Sequence, residues 1–272
     1  MAGRYVFAPM AGAESDAALL KNAATLARQI EASVEAAFVE PDNSAYLAGI
    51  SVVDGLPSAA LSALSDAQEE GLKIARQAFK SVFGDADDSE ARFCGALSRK
   101  EVSGLVRLAA FTVIDSGSAA GAGPFSTLFE DFLFTDAAPV VVARGTFNLD
   151  NISIAWNGSR EAATAMKFAL PLLRRADKVC VLQAGEDTDG AETIADPVQA
   201  QMWLQARGVD ARQMRAGDGY VGEALMKACT DHDCGLLVAG AYGHSRARQM
   251  VFGGATRAFV QNQEGPSLLL AH

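Results

Sequence analysis

Short apolar runs recur along the chain, each followed by a small polar turn and then by a helical stripe. Tyr5–Met10 and Ile152–Trp156 read as strands, and the turns behind them are Ala11-Gly12-Ala13-Glu14 and Asn157-Gly158-Ser159-Arg160. Beyond the first turn, Leu19, Ala23, Leu26, Ala27 and Ile30 share one helical face. Beyond the second, Ala162, Ala165, Met166, Ala169, Leu172 and Leu173 do the same, with Arg174 and Arg175 in the last turn. Strands are predicted next at Val34–Val39 and Val179–Gln183. The offset between the two series stays near 145 residues, Asp16 matching Glu161 and Val34 matching Val179.

The correspondence continues. Val102, Leu105, Val106 and Ala109 have helical spacing, as do Val221, Ala224, Leu225 and Ala228. Fourth strands are predicted at Phe111–Ile114 and Leu236–Ala239, and fifth strands at Pro139–Ala143 and Pro266–Ala271. Both fifth strands open on proline, which a strand tolerates at its first residue. The chain is therefore an internal repeat. Near-continuous Val, Ile and Leu strands alternating with helices imply an α/β fold: two tandem open parallel-sheet domains with helices on both faces. The domains are expected at 1–147 and 148–272, with the boundary near Arg144–Asp150, where Gly145 and Asn148 interrupt the pattern. Asn43–Ser58, a long and rather apolar connection before a helix at roughly Ala59–Phe83, breaks the symmetry. It packs on the other half or folds over a site, and the sequence does not choose between them.

Composition narrows the function classes. Half of the 272 residues are hydrophobic, enough for a core in each half. A net charge of −10 argues against a nucleic-acid surface, which needs a basic stripe. No window approaches the ~18 consecutive apolar residues of a membrane span, and the N-terminal MAGRYVFAPM lacks a signal-peptide core. A soluble, cytoplasmic protein is expected. Cys94, Cys180, Cys229 and Cys234 lack CxxC spacing and a zinc pattern, and read as small buried hydrophobes in a reducing compartment.

The candidate chemistry lies after the fourth strand of the second half. Gly240-Ala241-Tyr242-Gly243-His244-Ser245-Arg246 is followed by Phe252-Gly253-Gly254-Ala255-Thr256 and a helix. Ligands of open parallel sheets bind at the carboxyl ends of strands. A glycine-rich loop there presents backbone N–H groups to an anion, and the next helix adds its positive end. Arg246, Arg248 and Arg257 supply further positive charge, so phosphate is the natural guest.

Gly240, two residues, Gly243, nine residues and Gly253 resemble the nucleotide motif of universal stress proteins, and Asn157-Gly158-Ser159 resembles that family's Asp-Gly-Ser. Two positions depart: Gly254 stands where the family has Ser or Thr, and Asn157 where it has Asp. The resemblance implies a tandem member of the family, covering the second half end to end and the first by topology. It implies ATP or a related adenine nucleotide as ligand, with Mg2+ compatible with it. Ala155, Trp156, Asn157 and Gln183 would border the nucleoside; Gly240, Gly243, His244, Gly253, Gly254, Ala255 and Thr256 would border the phosphates. Thr256 or Ser245 would supply a substitute hydroxyl. It further implies pairing of the two halves through their last strands into an internal pseudo-dimer, and is compatible with a homodimer of the whole chain.

The first half lacks these features. Aligned by flanking strands, Ser116, Ala119, Ser126 and Thr127 stand where the second half has Gly240, Gly243, Gly253 and Gly254. Glu130 replaces Arg257, and acidic groups there repel phosphate. The first half is a degenerate copy. Gly217-Asp218-Gly219-Tyr220-Val221-Gly222 spells GxGxxG, but a dinucleotide fingerprint belongs on the first strand of its unit, so a plain turn is expected. No P-loop and no GxSxG occurs, and three histidines offer little to a hydrolytic triad. His244 contacts phosphate or faces solvent; Asp115, at a strand end, is a generic acid or base without a visible partner. The expectation is a stress-response regulatory protein that binds a nucleotide and is not a dedicated enzyme, slow ATP hydrolysis being compatible with it. The alternative is a scaffold of the same fold that binds none and acts by dimerising.

Overall fold

The computed structural model describes residues 4–41, 58–84, 90–145, 147–184, 196–241 and 254–272. In the first half these form β1 (Tyr5–Met10), α1 (Asp16–Gln29), β2 (Ser33–Val39), α2 (Ser58–Phe83), β3 (Ala91–Leu97), α3 (Arg99–Val106), β4 (Phe111–Asp115), α4 (Ser116–Ala119), α5 (Ser126–Glu130) and β5 (Val140–Ala143), with a π-helical turn at Asp131–Thr135. In the second they form β6 (Asn151–Ala155), α6 (Arg160–Leu173), β7 (Lys178–Gln183), α7 (Pro197–Gln205), β8 (Ala211–Arg215), α8 (Val221–Asp231), β9 (Leu236–Gly240), α9 (Gly254–Gln261) and β10 (Ser267–Ala271). Most of the Asn43–Ser58 connection lies outside the described residues. Among the described residues no helix is long and apolar enough to cross a membrane.

The two expected sheets are joined edge to edge into one sheet of ten strands, in the order β3-β2-β1-β4-β5-β10-β9-β6-β7-β8. Every neighbouring pair is parallel except β5 and β10, which run antiparallel with Val142 opposite Leu268, Val141 opposite Leu269 and Val140 opposite Leu270. All six side chains are fully buried. The antiparallel pair relates the halves as a twofold axis would, so α1, α2, α6 and α7 cover one face and α3, α5, α8 and α9 the other. An apolar last strand is a sticky edge when left open, and here each half closes the other's.

Polar ties flank this seam. The Arg144 guanidinium is buried and donates to the carbonyl of Pro266 at 2.6 Å and to that of Phe259. Its backbone N–H donates to Ser267 Oγ at 3.1 Å. Burial without a carboxylate pulls its pKa down to about 10. On the other face Asn22 Nδ2 donates to the Gly145 carbonyl at 2.9 Å, and Arg175 reaches the Gln29 carbonyl and Glu31 at the end of α1.

Burial also corrects the repeat alignment by one residue. The buried positions of α1, Asp16, Leu19, Leu20, Ala23, Leu26 and Ala27, correspond one by one to Ala162, Ala165, Met166, Ala169, Leu172 and Leu173 of α6. Asp16 therefore corresponds to Ala162, not to Glu161. Val6 pairs with Phe111, and Ile152 with Leu236, all four on the α1/α6 side of the sheet. Gly240 therefore corresponds to Asp115, not to Ser116. Side chains of a strand alternate between faces, so a one-residue slip turns the whole strand over, and the packed face decides the register.

Candidate functional site

The carboxyl ends of β6, β7 and β9 meet along one rim of the second half. Trp156 N–H donates to the Leu182 carbonyl at 2.8 Å, continuing the ladder one residue past β6. Ala155 is buried, Trp156 and Gln183 are half-buried, and Asn157 is exposed. These four predicted nucleoside contacts are thus brought together around the mouth between β6 and β7. Gly158 has φ 74°, the left-handed region that a residue without Cβ enters at least cost. Asn157 Oδ1 accepts from Ser159 N–H at 3.1 Å, and Ser159 Oγ caps α6 by accepting from Ala162 N–H at 3.1 Å. Asn at 157 thus orders the loop, as a carboxylate would, without adding charge.

Gly240 is required by packing. A Cβ there would lie 2.5 Å from Ala162 N and 2.6 Å from Glu161 C, so the first turn of α6 rests directly on the end of β9. Gly243, His244 and Gly253 lie outside the described residues. Gly254 is exposed, Ala255 half-buried and Thr256 buried in the first turn of α9. Sequence reasoning missed Tyr220. Its hydroxyl occupies the place that a Cβ on Gly254 would take, and the exposed Tyr220 side chain would have to move aside for a serine there. In the Gly217–Gly222 stretch a Cβ on Gly222 would meet Ala258 Cβ at 2.5 Å, making it a contact between α8 and α9. Gly217 has open space around it.

In the first half the same rim is filled by two carboxylates. Asp16, 2 % exposed, accepts from the N–H groups of Ala11, Gly12 and Ala13 at 3.0, 2.9 and 3.2 Å. Asp115 accepts from Ser118 N–H at 2.8 Å and Ser118 Oγ at 2.6 Å, capping α4. It is a structural cap rather than an acid or base waiting for a substrate. Gly12 lies under α2, where a Cβ would meet Gly71 Cα at 2.5 Å. The loop donors that could meet a ligand already hold Asp16, and the degenerate copy is a plugged one.

Burial holds the Asp16 carboxyl above its ordinary pKa, against the pull of its three N–H donors, and Asp115 adds repulsion. The folded state therefore binds this proton more tightly than the unfolded chain does. Its contribution favours folding at low pH and is lost as pH rises through the raised value. Asp16→Asn removes that titration. The stability difference between parent and variant, measured by urea unfolding at pH 7 and pH 4, should move in the parent's favour at the acid end.

Among the described residues no group of three or more His, Cys, Asp and Glu could hold a metal ion.

Among solved structures the chain is similar over almost its whole length to a universal stress protein from Archaeoglobus fulgidus DSM 4304, with a TM-score of 0.67 at 14% identity, covering 98% of this chain and 95% of that one. It is also similar to a functionally unknown protein from Pseudomonas aeruginosa PAO1, with a TM-score of 0.59 at 13% identity over 99% and 92%. No family model matches the chain, and no curated protein matches it in sequence. The fold is that of this universal stress protein structure, matched over 98% of the chain.

Proposed function

We propose that the second half binds ATP or a related adenine nucleotide and that its occupancy regulates a stress-response role. The supporting observation is the contrast between the two rims. Where the first half has Asp16 and Asp115, the second has Ala162 and Gly240, so the two carboxylates are absent beside the first turn of α6. The backbone N–H groups of that turn carry the positive end of the helix. The base would lie against Ala155, Trp156 and Gln183, and the phosphates would point toward the glycine-rich segment between β9 and α9. The Tyr220 hydroxyl stands where the family's Ser or Thr would reach a phosphate and offers a donor in its place.

Calorimetric titration of the full chain with ATP should give one site. Two equal sites, or none, would sink the reading; a scaffold without nucleotide predicts none. Ala162→Asp copies the first half's plug into the second. It should weaken ATP binding at least about 100-fold, equivalent to ~2.7 kcal/mol, while leaving the far-UV circular dichroism unchanged. Asp16→Asn should leave ATP affinity as it is. An Ala162→Asp variant that binds ATP like the parent would show that the loop after β6 does not touch the ligand.

A further inference from the structure

Three of the four cysteines, Cys180 on β7 and Cys229 and Cys234 at the end of α8, converge near the amino end of β9. Helix α8 ends in a left-handed residue, Asp233 at φ 53°, after which Cys234 N–H donates to the Cys229 carbonyl at 2.9 Å. This six-to-one bond is the Schellman ending, which brings the side chains of its first and last residues into contact. Those two residues are Cys229 and Cys234. The two side chains neighbour each other, and Ser153 of β6 lies beside both. Cys234 is also 3.2 Å from the Leu236 carbonyl. Cys180 stands beside Ser153 on the neighbouring strand and interacts with Cys234.

Cys229 and Cys234 are themselves buried, and the neighbours of the pair border a cavity. A cavity of about 520 Å³ opens along the start of β7, and Ser153, Cys180 and His232 are among the residues lining it. We propose that Cys229 and Cys234 are a reversible redox pair, converted by a hydroperoxide into a disulfide that locks the end of α8. The electron count closes within the pair. The Cys234 thiolate attacks one peroxide oxygen, the O–O bond breaks, and hydroxide leaves, giving a sulfenic acid. The Cys229 sulfur then displaces the hydroxyl from Cys234; the S–OH bond breaks, the S–S bond forms, and the Cys229 proton leaves with the hydroxyl as water. Two thiols and one hydrogen peroxide become one disulfide and two waters.

The roles follow from the surroundings. Donation from Cys229 and Ser153 pulls the Cys234 thiol down, which favours its thiolate as the attacking group. The same contact pushes Cys229 up, which suits the resolving partner. Burial pushes Cys180 up to about 11, and burial with Glu35 alongside raises Cys94, so neither competes as a nucleophile.

The test uses the full chain and hydrogen peroxide near stoichiometric amounts. Thiol titration in denaturant should fall from four per chain to two, and dithiothreitol should restore four. The tryptic peptide 228–246 contains both cysteines and should become about 2 Da lighter, the mass of two hydrogens. In Cys229→Ser the sulfenic acid at Cys234 should persist and be trapped by dimedone on that peptide. A peptide 228–246 of unchanged mass, a Cys180–Cys234 bridge, or first oxidation at Cys94 would each overturn the assignment. The mass of the parent peptide decides the matter even if the Cys229→Ser variant fails to fold.

Discussion

Lysines placed together at Val141 and Leu269 are expected to unfold the protein. The two side chains are fully buried, directly opposite across the antiparallel β5–β10 pair, and packed between α1 and α6. An ammonium group there would lose its hydration without gaining a counter-charge, and a second like charge opposite would add repulsion. The cost is on the order of the whole ~5–15 kcal/mol that holds an ordinary domain. Gel filtration should show an expanded or aggregated species, and circular dichroism should show no cooperative melt. The milder Leu269→Ala should keep the fold and cost about 2–5 kcal/mol through lost burial and the cavity it leaves. A double-lysine variant as compact and heat-stable as the parent would mean that the halves do not meet at this seam.

Gly240→Asp has the second large expected effect, and it acts on stability and ligand together. Its Cβ would fall 2.5 Å from the Ala162 nitrogen and 2.6 Å from the Glu161 carbonyl carbon. Those are backbone atoms, so the first turn of α6 must move, and forcing extra volume into a packed contact costs about 1–3 kcal/mol. The carboxylate would also stand at the rim, in the position Asp115 holds in the first half. Nucleotide affinity should therefore fall by more than about 100-fold, beyond what the loss of one neutral hydrogen bond explains. Calorimetry with ATP and a urea melt read the two effects separately. Gly217→Ala is the control: its Cβ meets open space, and it should change neither affinity nor stability by more than ~0.5 kcal/mol. Unchanged ATP binding in Gly240→Asp would remove the end of β9 from the site.

The sequence alone determined the strands that lie inside the sheet and the helices that cover them. β1 was legible as Tyr5–Met10 residue for residue, and β2, β4, β6, β7, β9 and β10 to within a residue at either end, because strands covered on both faces are continuous apolar runs. The edge strands β3 and β8 were not: Ala-Arg-Gln-Met-Arg of β8 is mostly exposed and carries no such run. The repeat and the last-strand pairing were also legible, since two apolar edges in one tethered chain have each other as nearest partner. What only the tertiary structure decided rests on contacts between segments distant in sequence. The one-residue correction needed the packed faces of α1 and α6, because composition cannot tell a strand from the same strand slipped by one. The plug formed by Asp16 and Asp115, the Tyr220 hydroxyl over Gly254, and the neighbouring sulfurs of Cys229 and Cys234 all depend on where a turn or helix end directs a side chain. An apolar run is averaged over many residues and survives local exceptions, whereas each of these contacts depends on the position of single atoms.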